Sequence, residues 1–187
     1  SQDQFASSFG GFNSIQFNKN NRKIITPINI NQKRMKALLD SSVLFFTGFS
    51  RTASSIERDK LKNLNKNHNQ LYEINSITQE AKKILYSSSG NNEMISDLSL
   101  LLNETWQIKK ALSKKVTSDK IDEIFDVAKK NGALAGKLLG AGGGGFVLFL
   151  VKNKMDKMKL TNSLNKLKKV DFGFDTAGSQ ILYSKLD

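Results

Sequence analysis

The sequence has no cysteine, one histidine, one proline and one tryptophan among its 187 residues. Without cysteine there can be no disulfide and no thiolate metal site, a composition that suits the cytoplasm. The one histidine, His68, lies in the polar run Asn65-Lys66-Asn67-His68-Asn69-Gln70 and reads as a solvated residue, not as a ligand or base. No apolar segment approaches the roughly 18 residues a membrane span needs, and no signal-peptide pattern opens the chain. The expectation is a soluble, intracellular, cytoplasmic protein. Acidic residues are also scarce: 17 Asp and Glu against 29 Lys and Arg give a net charge of +12. Such a field attracts polyanions and phosphorylated small molecules alike. The lysines are scattered, with few aromatics between them, which argues against a nucleic-acid surface. Hydrophobic residues make up 39%, enough for a real core. The length fits one ordinary domain, or one domain plus part of another. The chain starts at Ser1 and looks like mid-helix at once, so the expectation is the carboxyl-terminal part of a longer protein.

Glycine is unevenly spread, and one concentration of it organises the rest. Five of the six residues from Gly140 to Gly145 are glycine, between Lys137-Leu138-Leu139 and Phe146-Val147-Leu148-Phe149-Leu150-Val151. The pattern predicts strand, loop, strand. A tight turn needs one or two glycines, and each further one costs about 0.5–1 kcal/mol of backbone entropy relative to alanine. The return is bare backbone that an anion or another loop can approach, with several N–H groups free to point at it. A flexible hairpin without a ligand is the plainer alternative.

In chain order, Gln2 to Phe9 has near-helical spacing and stops at Gly10-Gly11. Asp3 could be an ordinary acidic residue at a helix start. Phe12–Phe17 and Lys23–Ile30 read as a hairpin, with Pro27 limiting the second strand. A helix over Gln32–Asp40 precedes a buried strand at Val43–Phe46, which runs into Thr47-Gly48-Phe49-Ser50-Arg51. Thr47 and Arg51 are placed to meet an oxyanion, or to cap and face solvent. Helices follow over 53–65, 68–86 and 92–114, the last with Leu98, Leu101, Leu102, Thr105, Ile108 and Leu112 as its stripe and Trp106 at its border. Thr117 or Ser118 caps a further helix with Ile121, Ile124, Phe125 and Ala128 facing inward. Beyond the glycine loop, Met155, Met158, Leu160, Leu164 and Leu167 suggest an imperfect amphipathic helix. Lys169–Phe174 and Gln180–Tyr183 read as strands. The order predicts an α+β domain with a mostly antiparallel sheet.

Gly140-Ala141-Gly142-Gly143-Gly144-Gly145-Phe146 resembles the third signature of the GHMP small-molecule kinases, the group of galactokinase, homoserine kinase and mevalonate kinase. Gln2-Asp3-Gln4-Phe5-Ala6 with Phe9-Gly10-Gly11-Phe12-Asn13 resembles the Gln-Asp-Gln helix of their D-glycero-D-manno-heptose 7-phosphate kinase branch. Phe46–Arg51, Asn131–Leu139 and Gly178-Ser179-Gln180 are similar to that branch too. The resemblance implies that Asp3 is the general base, or orients the attacking hydroxyl, with Gln4, Thr47 and Arg51 as sugar or phosphate contacts. It implies that Gly140, Ala141, Gly142, Gly143, Gly144 and Gly145 support the family's phosphate loop. That loop, a Pro-x-x-x-Gly-Leu-x-Ser-Ser type sequence, is absent from these 187 residues, as is the family's amino-terminal signature.

The division implied is 1–31, a remnant of the amino-terminal kinase domain, and 32–187, the GHMP-kinase carboxyl-terminal domain. ATP and Mg2+ would be held mainly by the absent part, no residue here is assigned to metal, and the chain alone would be inactive. The implied reaction is phosphorylation of the heptose 7-phosphate at its anomeric hydroxyl, in nucleotide-activated heptose synthesis. A fucokinase-like enzyme, or a non-catalytic basic α+β binding module, is the alternative. Expected partners are sugar phosphate, ATP and a second copy of the chain through exposed strands, with no nucleic acid and no membrane.

Overall fold

The computed structural model describes residues 2–18, 20, 22–49, 68–113, 116–140 and 142–183. These divide into two units: residues up to Asn31 group with those from Phe172 onward, and Gln32–Asp171 form the other. The expected boundary, with 32–187 as one domain, differs in placing the residues beyond 171 with the second unit.

In the first unit, helix α1 (Gln2–Phe9) stops where Gly10 and Gly11 take left-handed φ of 61° and 73°. Strands β1 (Asn13–Phe17) and β2 (Lys23–Pro27) form the expected hairpin, with Ile15 opposite Ile25. Phe5 packs edge-on against Phe17 at 5.9 Å, and Phe12 meets Phe174 at 5.8 Å. The carboxyl-terminal segment returns to α1 through Gly11 N–H to Asp175 O (2.6 Å) and Ser179 N–H to Ser8 O (2.9 Å). Gly10 and Gly178 make this approach possible, because a Cβ on Gly178 would lie 2.5 Å from Ser8 O and one on Gly10 would overlap the Gly178 backbone. Gly10→Val is therefore expected to release the returning segment. The check is amide exchange at Gly11 and Ser179, which should accelerate at least about tenfold, the size of a strained non-glycine residue at positive φ.

Gln180–Tyr183 are not a strand, and Ile181 and Leu182 are 86% and 93% exposed. Their alternation is strand-like, but a strand also needs a partner's edge, and among the described residues none pairs with them.

In the second unit, α2 (Gln32–Asp40) leads into β3 (Ser42–Phe46), both where expected. Helices α3 (His68–Tyr86), α4 (Asn91–Leu112) and α5 (Asp119–Lys130) follow. Then come β4 (Ala133–Leu138), β5 (Phe146–Val151), α6 (Lys154–Ser163) and β6 (Lys168–Val170). The strands form one antiparallel sheet in the order β4-β5-β3-β6, so the architecture is α+β as read. The expected helix over 53–65 lies outside the described residues.

Val43, Phe45, Val147, Phe149, Val151 and Leu138 face one side of the sheet and pack with Ile121, Ile124 and Ala128 of α5 and Leu160 of α6. Trp106 of α4, 2% exposed, stacks on Phe125 with centroids 4.8 Å apart. It is the centre of the buried face of α4, not its border. The six residues expected to form the stripe are only half-buried, while Met94, Ile95, Ser99, Trp106 and Lys109 are buried. Helix α4 packs against both β4 and α3. Met155 and Met158 are also corrected: both are more than half exposed, because positions five and two before Leu160 fall on the far side of a 3.6-residue turn. The last strand reaches only Val170, short of the expected Phe174. Among the described residues no helix is long and apolar enough to cross a membrane.

Candidate functional site

The glycine loop joins β4 to β5, and it is held rather than loose. Leu139 N–H donates to Phe146 O at 2.8 Å, closing the base of the hairpin. Gly143 N–H donates to Val116 O at 2.9 Å and Gly145 N–H to Phe49 O at 2.8 Å. Two of the N–H groups expected to be open to an anion are thus satisfied inside the protein. At Gly142, φ is 114° and a Cβ would sit 3.0 Å from Val116 Cα, so only glycine lets the two backbones meet. Bare backbone here serves loop-to-loop packing first.

Thr47, just beyond β3, is the clamp on the far side. Its N–H and its Oγ1 both donate to Gly145 O, at 2.8 and 2.9 Å. Only 2% of Thr47 is exposed, and both of these bonds hold the loop. A cavity of about 310 Å³ lies beside the loop, lined by Phe49, Gly143 and the start of α5 at Ser118, Asp119 and Lys120. Ser118 stands at the cap position of α5 without a side-chain cap bond, whereas Thr117 donates its hydroxyl to Asp122 Oδ1 at 2.8 Å. Arg51 and Ala141 lie outside the described residues.

One residue that sequence reasoning missed meets the loop directly. Lys109 of α4 is 8% exposed, and its Nζ donates to Leu138 O at 2.8 Å and Gly140 O at 2.7 Å. Its position three residues after Trp106, on the same helix face, was the available signal.

Asp3 and Gln4 are on α1 in the first unit, both exposed, with Asp3 in the first helical turn. The loop and Thr47 belong to the second unit. Among the described residues no three His, Cys, Asp or Glu side chains converge.

Lys137, opposite Leu148 in the sheet, has its ammonium pKa lowered by burial. A lysine whose folded pKa lies below its unfolded value destabilises the fold while it must stay charged, and the penalty fades as pH rises towards 10.5. Lys137→Met is therefore expected to melt higher than the parent at pH 7. The gap should narrow with rising pH through the lowered folded pKa and close near 10.5, as paired thermal melts would record.

Residues 81–169 match the family described as "GHMP kinases C terminal". A D-glycero-alpha-D-manno-heptose 7-phosphate kinase of Campylobacter jejuni is 35% identical over 185 residues, 95% of this chain and 52% of that protein. A crystal structure from Campylobacter jejuni superposes with a TM-score of 0.64 at 32% identity, covering 95% of this chain and 49% of that one. The structure of a D-glycero-D-manno-heptose 1-phosphate kinase from Bacteriodes thetaiotaomicron has the same TM-score, at 28% identity, covering 98% and 49%. The chain thus spans about half the length of these relatives.

Proposed function

We propose that this chain, whose residues 81–169 match the GHMP-kinase C-terminal family, supplies part of the active site of an ATP-dependent sugar-phosphate kinase. The substrate we assign is D-glycero-D-manno-heptose 7-phosphate, phosphorylated at its anomeric hydroxyl. The observation that carries the reading is a match running across 95% of the chain. The two relatives' names mention position 7 and position 1 of the same sugar, in keeping with a substrate phosphorylated at one end and attacked at the other.

In this reading Asp3 takes up or orients the proton of the attacking hydroxyl, a role open to a carboxylate exposed on a helix face. Gln4 hydrogen-bonds the sugar, and Arg51 neutralises phosphate charge. The loop from Gly140 to Gly145 forms a fixed wall beside the phosphoryl group that moves, held by Thr47, Val116 and Phe49. Phosphoryl transfer depends on positioning and charge neutralisation, so a rigid wall is of direct use.

The test is ADP release and a 31P spectrum, with MgATP and the heptose 7-phosphate. It compares the 187 residues alone with a longer polypeptide that adds a Pro-x-x-x-Gly-Leu-x-Ser-Ser loop. The expected outcome is turnover by the longer protein and none by the 187 residues. Turnover of fucose in place of the heptose would move the assignment to the fucokinase-like alternative.

A further inference from the structure

Lys109 is a buried titratable group that the reading above does not use. A lysine near the end of a helix normally runs its stem along the surface and leaves its ammonium in water. Lys110, next in sequence, is half-buried and lays its Nζ over the Trp106 ring, 5.8 Å from the ring centre. Lys109 turns inward instead, and it is 8% exposed. A buried ammonium is a poorer source of stability than an apolar side chain of the same size, so its presence calls for something that it holds. What it holds is the start of the glycine loop: Leu138 O, on the last residue of β4, and Gly140 O, on the first glycine.

Those two carbonyls converge on one cation, while the N–H of Leu139 between them donates away, to Phe146 O. The backbone is thereby held from both sides where it leaves the strand, and Gly140 adopts a φ of 63°. The later part of the loop is held by neutral groups, namely Val116 O, Phe49 O and Thr47. Carbonyl oxygens facing a phosphoryl group would repel it; strand pairing already turns Leu138 O outward, and Lys109 binds it together with Gly140 O.

We propose that Lys109 is a positioning residue for phosphoryl transfer: it fixes the start of the glycine loop by holding Leu138 O and Gly140 O on one cation. The catalytic half of this rests on the kinase reading, and the loop-holding half does not.

Lys109→Met and Lys109→Arg separate the two halves. In the 187-residue chain, Lys109→Met is expected to speed amide exchange from Leu139 to Gly145 about tenfold or more, leaving α5 unchanged, and Lys109→Arg to restore most of the protection. Unchanged exchange in the loop would overturn the proposal. In the longer polypeptide with MgATP and the sugar phosphate, Lys109→Met should lower kcat by about 10²-fold with the sugar KM within threefold, and Lys109→Arg should recover most of the rate. Loss of loop protection with kcat intact would overturn the catalytic half alone. If the parent longer protein shows no turnover, the kinase reading fails and the exchange data still decide the loop. Should Lys109→Met not fold, Lys109→Gln, which keeps a donor for one carbonyl, should give partial protection; full protection would overturn the proposal.

Discussion

Asp3→Asn, made in the longer polypeptide that turns over, is expected to lower kcat by about 10²–10⁴-fold and to leave the sugar KM within a few-fold. The size is that of general-base assistance, and the pattern is that of an interaction made chiefly in the transition state. The substitution keeps the side chain's shape and one carbonyl acceptor but removes the charge and the ability to take a proton. Asp3 is exposed in the first turn of α1, where a carboxylate would in any case favour the helix through the backbone dipole. That plain role predicts a different result: a loss of about 0.3–1 kcal/mol in helix stability and an unchanged rate. Steady-state kinetics and thermal melts on the same preparation distinguish the two. A variant that melts earlier yet turns over normally would remove Asp3 from the chemistry and leave the kinase reading resting on the second unit. Arg51→Ala should behave otherwise, raising KM with less effect on kcat, as expected for a ground-state phosphate contact.

How much of this was legible in the sequence differs from residue to residue. Local patterns carried well: the strand, glycine loop and strand at β4 and β5, the hairpin of β1 and β2, and α3 at His68–Tyr86 follow from periodicity and punctuation that need no partner. What failed depended on contacts distant in the chain. Thr47 was read as meeting an oxyanion or as a cap, and local pattern could not show that its hydroxyl bonds Gly145 O, 98 residues away. Lys109 was passed over because a lysine in a helix is normally counted with the solvated face, and only the strand 29 residues later explains why this one is buried. Gln180–Tyr183 had the alternation of a strand, and alternation cannot reveal whether an edge is available. The family resemblance supplied chemical roles that periodicity could not, for Asp3 and the loop above all. It said nothing of how the loop is held.

Trp106→Ala is expected to be the most destabilising single truncation in the second unit, by about 3–5 kcal/mol, the range for a large buried aromatic. Two contacts meet at this ring, and a third extends them to the sheet. It stacks on Phe125 at 4.8 Å, Phe125 in turn meets Phe149 edge-on at 5.3 Å, and Lys110 covers the ring at 5.8 Å. Through that chain Trp106 joins α4 to α5 and to the central strand β5, so its loss leaves a cavity where three elements converge. On the sheet side the packing is already tight, since a Cβ on Gly136 would overlap the Phe149 ring. For a protein of this size, such a loss corresponds to a fall of roughly 6–20 °C in Tm. Leu100→Ala is the control: Leu100 lies on the same helix but is 69% exposed, and its truncation should stay within about 0.5 kcal/mol. Trp106→Phe, which keeps an aromatic surface for Phe125, should fall between the two. Because Lys109 sits one turn further along α4, Trp106→Ala should also loosen the start of the glycine loop, read as faster exchange at Leu139. If Trp106→Ala melts no earlier than Leu100→Ala, then the second unit is not held together through the buried face of α4, and the support of the loop by that helix must be abandoned with it.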